Sequence, residues 1–543
     1  MVFARRSTTL LAAIIASCAM VLSLTACTSD NKTVVDGQTT VTSNSAGGVA
    51  VFTPSDGITL NQQMPLNKWA KLVPDLTKAL VDAGFKKGDI NHTTSDSLDK
   101  QSRAIQDFVV DHLSNNTTDD SGIAIAPDNM TLLVAPVVEA DASTRQYGDY
   151  VSQNLSTNDV TDEGATSDGE SSEDDSSKDD SSNTESDSTA SDEQAQAVDR
   201  LVSSLKLAKE SGMHVVLLGN SIEGYKPDAF VKFSDAQTIG KLQAEKMVSK
   251  LKLDKASKDN PKYIEVLLPY TAMDEKGNAN DSTFAQEAFR GIWQVLGSYY
   301  QKGVVESPSG TLDGKSTEND WQAVAYDAAK EGSTAKVLDK RLAKTDGQST
   351  LTRIDGIITM NDYIASEVVK ELDDLGYTGS AADINPQITI SGIVGNITGK
   401  KDLSRDAVPD PIKSPENDNA NDSSSSDDDA DKDTSASDKD RDSQWPLVTG
   451  YGAYVSNIPS IVNGKQWMTG MEDRQTIATD IAQACAKLNK DEALNSMPSI
   501  RTSEVGGVKK IPTINEPLLA VSAGNLKSAL IDPGYISLAD AGL

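Results

Sequence analysis

Seven short apolar runs, separated by stretches of helical periodicity, constrain this chain more than any other feature. They are Gly48–Thr53, Thr131–Ala135, His214–Leu218, Tyr263–Leu268, Gly356–Met360, Gln387–Ser391 and Pro446–Thr449. Runs this short suit buried strands, and the stretches between them suit crossover helices. One such stretch, Trp69 to Ala83, puts Leu72, Leu76 and Leu80 on one face. Another, Asp362 to Leu375, aligns Ile364, Val368 and Leu372 and has Gly376 as a stop signal. The pattern predicts an α/β chain of parallel sheets with crossover helices. At 543 residues, the chain is too long for one simple domain and long enough for two lobes.

Charge is distributed unevenly. The formal net charge is -31, with 81 acidic and 50 basic residues. Residues 159–193 hold fourteen acids and one lysine, and residues 416–442 hold eleven acids and three bases. Both runs are rich in Ser, Asp and Asn and offer nothing apolar to bury, so ordering them would cost backbone entropy without return. They are expected to be solvated, disordered insertions, spanning about 152–195 and about 402–444. Asp427-Asp428-Asp429 lacks the spacing and the Gly-centred turn of a calcium loop. A pI near 4.4 argues against a nucleic-acid partner, which requires clustered Lys and Arg. Three histidines (His92, His112, His214) and three cysteines leave little for a His-based triad or a zinc site.

The amino-terminal stretch has the layout of an export signal. Arg5-Arg6 is followed by an apolar core from Leu10 to Leu24, too short for a comfortable membrane span. The core ends in Leu24-Thr25-Ala26-Cys27, which resembles a bacterial lipobox. That resemblance implies cleavage before Cys27, acylation of its thiol, and a flexible tether over 27–46. The expected location is the outer face of the cytoplasmic membrane, and Cys485 is the one thiol left in the body of the protein.

Ligands of open parallel sheets bind beyond the carboxyl ends of the strands. Those ends are Pro54-Ser55, Pro136, Gly219-Asn220, Pro269-Tyr270, Asn361-Asp362 and Gly450-Tyr451. They are polar or bend-forming. Neither a Walker A pattern nor a post-strand GxGxxG is present, which argues against a nucleotide enzyme.

Several stretches resemble the sugar-binding lipoproteins of bacterial ABC importers, the type I periplasmic-binding fold of the xylose and multiple-sugar group. They are AKESGMHVVLLGNSIEGYKPDAFVKFSDAQTIG from Ala208, GIITMNDYIASEVVKELDDLGYTG from Gly356, WPLVTGYGAYVSNIPSIVNGKQWMTGMEDRQTIATDIA from Trp445, and IPTINEPLLAVSAGNLKSALIDPGYIS from Ile511. The resemblance implies two Rossmann-like lobes joined by three hinge segments with one sugar in the cleft. The first lobe would cover 47–227 and 467–510, and the second 228–466 and 511–543.

The resemblance also assigns sugar contacts. Asn361 and Asp362 match the family's Asn-Asp turn, Gln466 its hinge glutamine, and Asp235 the acid at the second-lobe helix start. Trp69 falls at an Arg-Trp pair whose Arg is here Lys68. Three groups depart from the pattern: Gly219-Asn220 replaces an Asp-Arg pair, Gly452 replaces an Asp, and Ala236 replaces an Asn. Tyr270, Tyr451 and Asn220 are the residues placed to compensate. Each candidate also has a plainer reading: Asn361 and Asp235 as helix caps, Trp69 as core, Gln466 as hinge, Tyr270 and Tyr451 as solvent-facing.

The expected function is a lipid-anchored receptor that closes on a sugar or related polar solute and passes it to an ABC permease, with no catalysis, cofactor or metal. The alternative is a degenerate receptor that keeps the fold but works as a sensor or interaction module. An enzyme with paired carboxylates would have only Asp235 and Asp362 to draw on.

Overall fold

The computed structural model describes residues 32–35, 38–41, 46–55, 65–115, 125–138, 145–151, 153–156, 184–273, 280–343, 351–381 and 444–543. The expected leader, Cys27, the Gln387–Ser391 run, the Asp427–Asp429 acids and most of both acidic runs lie outside them. Lys32–Val35 and Gln38–Val41 form an antiparallel hairpin of their own. The remaining description concerns the compact unit Ala46–Leu543.

Two sheets organise that unit. The first has seven strands in the order Ile500–Val505, Val508–Asn515, Ala229–Lys232, His214–Leu218, Met130–Val134, Gly48–Pro54 and Ile90–Ser95. All its pairings are parallel except that of the first two strands. The second has six strands in the order Val305–Glu306, Lys262–Val266, Gly356–Ile358, Leu447–Tyr451, Met468–Met471 and Leu519–Ser522. Only its last pairing is antiparallel.

The period of two along each strand divides the first lobe into layers. Val49, Val51, Leu133, Val216 and Leu218 pack with Leu72, Leu76 and Leu80 of the Trp69–Asp82 helix and Ile477 and Ile481 of the Arg474–Leu488 helix. Their neighbours Ala50, Phe52, Leu132, Val134, Val215 and Leu217 face the other way, onto Ile105 and Val109 of the Leu98–Asn115 helix and Leu201 and Leu205 of the Thr184–Glu210 helix. A strand that feeds two helical layers must be apolar on both faces, which is why these strands read as continuous apolar runs.

The chain crosses between the sheets at 232–236, 471–474 and 515–519. Each crossing lies a few residues beyond the boundary expected from sequence. The strands Ala229–Lys232 and Val508–Asn515 finish in the first sheet and Met468–Met471 in the second before the chain leaves. The first acidic run also gives up more residues to the fold than its composition suggests. Asn154–Leu155 pairs in parallel with Ser221–Ile222, burying Leu155. The Thr184–Glu210 helix begins well inside the run, extending outward from the turns held by Ala197, Leu201 and Leu205.

In the second lobe the Ala236–Leu251 and Thr283–Gln301 helices approach through glycines. A Cβ on Gly240 would stand 2.2 Å from the Ala288 carbonyl oxygen, and one on Gly291 would stand 2.0 Å from that of Gln237. Neither backbone can retreat without unpacking its helix from the sheet. Gly291→Ala is therefore expected to cost about 1–3 kcal/mol by overpacking, read as a lower urea midpoint, whereas Ala at exposed Gln301 of the same helix leaves the midpoint unchanged.

Candidate functional site

Leu66 makes one contact between the lobes, its amide donating to the Gly452 carbonyl at 2.9 Å. Another is made by a short segment of the first lobe, Gln146–Tyr150. Its second half is fixed to its own lobe. The Asp149 amide donates to the Asn67 carbonyl at 2.8 Å, and its carboxylate accepts from Lys68 Nζ at 2.7 Å and the Trp69 amide at 3.1 Å. The Tyr150 hydroxyl donates to the Lys68 carbonyl. Its ring meets Trp69 at 5.0 Å and Phe233 at 4.8 Å. Gly148 then turns the chain at φ +93°, where a Cβ would stand 2.5 Å from the Asn67 oxygen.

Beyond that turn the segment enters the second lobe. Tyr147 is 1% exposed and counts among that lobe's core, its ring 4.7 Å from Phe284 and 6.3 Å from Tyr451. Its hydroxyl is buried, which raises its pKa, and the Asn361 side chain opposes that shift. Gln146 Oε1 accepts from Asn361 Nδ2 at 3.0 Å, and its carbonyl accepts from the Tyr454 hydroxyl at 2.6 Å.

Beside this contact lies a buried carboxylate with no cation. Asp362 Oδ1 accepts from Gln466 Nε2 at 2.7 Å; Oδ2 accepts from Thr469 Oγ1 at 2.8 Å and the Tyr454 amide at 2.9 Å. Asn457 ties the group together, donating to the Asp362 carbonyl and to Gln466 Oε1. Burial pushes the Asp362 carboxyl up to about 6 although these donors oppose the shift. A second buried acid, Glu472, sits where the chain leaves the Met468–Met471 strand. It accepts from the Ser234 amide at 2.6 Å and the Tyr451 hydroxyl at 3.3 Å, while Ser234 and Tyr451 share a 2.5 Å hydroxyl contact. Glu472 therefore links two of the three crossings, and burial pushes it up to about 7.

The remaining candidates are placed elsewhere. Asp235 caps the Ala236–Leu251 helix through the Thr238 amide and pairs with Lys232 at 2.9 Å. Asn220 bridges the Pro136 carbonyl and the Gln153 amide. Trp69 is core, in the aromatic group with Tyr150 and Phe233. Asn361 caps its helix through the Ile364 amide, so its Oδ1 is spent there. Tyr451 is buried, and its solvent-facing alternative is overturned because its ring is needed in the second-lobe core.

Tyr270 lines a depression of about 580 Å³ in the second lobe with Trp321, Tyr326, Asp327 and Lys330. Leu268–Pro269 and Ala325–Tyr326 pair in parallel and deliver Tyr270 and Asp327 side by side at their carboxyl ends. Tyr270 meets Trp321 edge-on at 5.1 Å. Burial raises the Asp327 carboxyl, but the Ala329 amide, Thr271 and Lys330 outweigh it and hold the group below its ordinary value. Arg341 fixes the floor, donating to the Val266 and Val324 carbonyls and pairing with buried Glu265 at 3.4 Å.

Sequence reading missed Gln146, Tyr147, Tyr454, Glu472, Trp321, Tyr326 and Asp327. The strand-end rule finds Glu472 and Asp327 once their short strands are assigned. Among the described residues no group of three His, Cys, Asp or Glu is arranged to hold a metal, and no helix is long and apolar enough to cross a membrane.

No protein-family model matches the sequence, and no curated protein does. Among solved structures the chain is similar to an ABC transporter solute-binding protein from Clostridium phytofermentans with bound β-D-glucose, at 17% identity and a TM-score of 0.44, covering 91% of this chain and 99% of that one. It is similar to a carbohydrate transporter solute-binding protein from Chloroflexus aurantiacus in complex with D-glucose, at 17% identity and a TM-score of 0.43, covering 92% and 98%. A sugar ABC transporter protein from Actinomyces odontolyticus shares 10% identity at a TM-score of 0.44, covering 89% and 97%.

The buried acids set a pH dependence. Glu472 is raised from an ordinary 4.5 to about 7, so the folded state holds its proton more tightly than the unfolded chain does. Its stabilising contribution is complete below about pH 4.5 and declines as pH rises to about 7. Asp362 adds a decline between about 3.8 and 6. Glu472→Gln keeps an acceptor for Ser234 and Tyr451, so urea unfolding should show little change at pH 4.5 and a gain on the order of 2 kcal/mol at pH 8.

Proposed function

We propose that this chain is an extracytoplasmic, lipid-anchored receptor that binds a sugar or related small polar solute and delivers it to an ABC permease. The observation that carries the reading is the depression lined by Tyr270, Trp321, Tyr326 and Asp327 at the carboxyl ends of second-lobe strands. Aromatic faces suit the C–H faces of a sugar ring, and a carboxylate kept ionised suits its hydroxyls. Three crossings between two sheets supply a hinge, so ligand binding would shift an open–closed equilibrium that a permease can read. Binding and closure suffice for this role, and no covalent step is invoked.

One observation favours the second reading, an interaction or sensor module without tight sugar binding. Asn361, Asp362 and Gln466, the residues matched by resemblance to sugar contacts, direct their polar atoms at protein partners. In that reading the contact between lobes is permanent.

Thermal unfolding of Thr28–Leu543 against D-glucose, D-xylose, L-arabinose, maltose and xylitol separates the two. A ligand at one hundred times its Kd adds roughly 2.7 kcal/mol of stability. The receptor reading predicts such a shift for at least one sugar, with affinity falling roughly ten- to a hundredfold in Asp327→Ala. A folded protein with no response to any of them moves the weight to the second reading.

A further inference from the structure

The Gln146–Tyr150 segment is built to hold the lobes and to let go. We propose that Gln146 and Tyr147 form a resident latch on Asn361 and Tyr454, second-lobe donors outside the depression, so that a ligand reaching across to the lobe contact must displace them. The latch itself rests on the contacts described above; the identity of its competitor rests on the receptor reading.

The chemistry of the two residues matches what they cover. Asn361 Nδ2 and the Tyr454 hydroxyl are donors at the lobe contact, and both are taken by oxygens of Gln146. The Tyr147 ring lies against Phe284 and Tyr451, as the face of a sugar ring lies on aromatic side chains.

The mechanics agree. Asp149 and Tyr150 are held by Lys68, Asn67 and Trp69 of the first lobe, so releasing Gln146 and Tyr147 leaves the segment's other half in place. Gly148, in a conformation open to glycine, separates the halves. Apparent affinity in such a system is the intrinsic affinity multiplied by the fraction of unlatched molecules, so a latch closed in about 99% of molecules weakens binding about a hundredfold.

The test uses Thr28–Leu543 with Val81→Cys and Gln301→Cys, one exposed position on each lobe, spin-labelled for distance measurement; buried Cys485 stays unlabelled. Gln146→Ala/Tyr147→Ala is compared with the unmodified segment, and Gln146→Ala alone serves as a milder variant should the double variant fold poorly. A longer or broader distance distribution, together with at least a tenfold gain in affinity for a sugar of the panel, supports the latch and its competition with ligand. A wider distribution with no sugar response in either protein supports the latch and overturns the receptor reading. An unchanged distribution in both variants overturns the latch, whether or not sugars bind.

Discussion

Two residues on either side of Gly148 tie this molecule together. Asp149 and Tyr150 belong by their contacts to the first lobe, and Gln146 and Tyr147 belong to the second. The three crossings join the lobes, and this bridge adds side-chain contacts between them. Aromatic area supplies much of its strength, since Trp69, Tyr150 and Phe233 on one side and Tyr147 and Tyr451 on the other are nearly excluded from water, with half-buried Phe284 against Tyr147.

The bridge closes over acids that the fold tolerates rather than exploits for stability. Asp362 and Glu472 carry no cationic partner, and each is stabilised only by amide and hydroxyl donors. Such donors make a buried carboxylate tolerable without restoring the solvation it has lost, hence the upward displacement of both. The contrast with Asp235 is instructive. That residue caps a helix and pairs with Lys232, and the net effect on its carboxyl is downward although burial acts the other way. The same side chain type is a fastening at the lobe's rim and a liability at its centre. Acids at a centre persist where function asks for them.

Much of the architecture was legible because buried parallel strands are written as dense apolar runs. Gly48–Pro54 and His214–Leu218 stand out for that reason, and the Asp362–Leu375 helix ends at Gly376 as its spacing suggests. Ile90–Ser95 was not legible. It is an edge strand whose sequence INHTTS faces solvent along most of its length. The crossings were displaced because Phe230 and Val231 read equally well in either sheet; only pairing with Val216 to Leu218 and with Thr513 to Asn515 assigns them. For the site, Asn361 and Asp362 were visible as polar residues at a strand's carboxyl end. Tyr147 was not, being a lone aromatic in an irregular segment without periodicity. Nor was the Tyr326–Asp327 wall, because a strand of two residues leaves no pattern to read.

Hydrogen exchange on the unmodified protein tests the bridge most directly. The account predicts that the Asp149 amide, bonded to the Asn67 carbonyl, exchanges as slowly as amides in the central strands, and that peptides covering 145–151 and 453–457 are protected together. Exchange of 145–151 at the rate of an open loop, with 453–457 still protected, would contradict it.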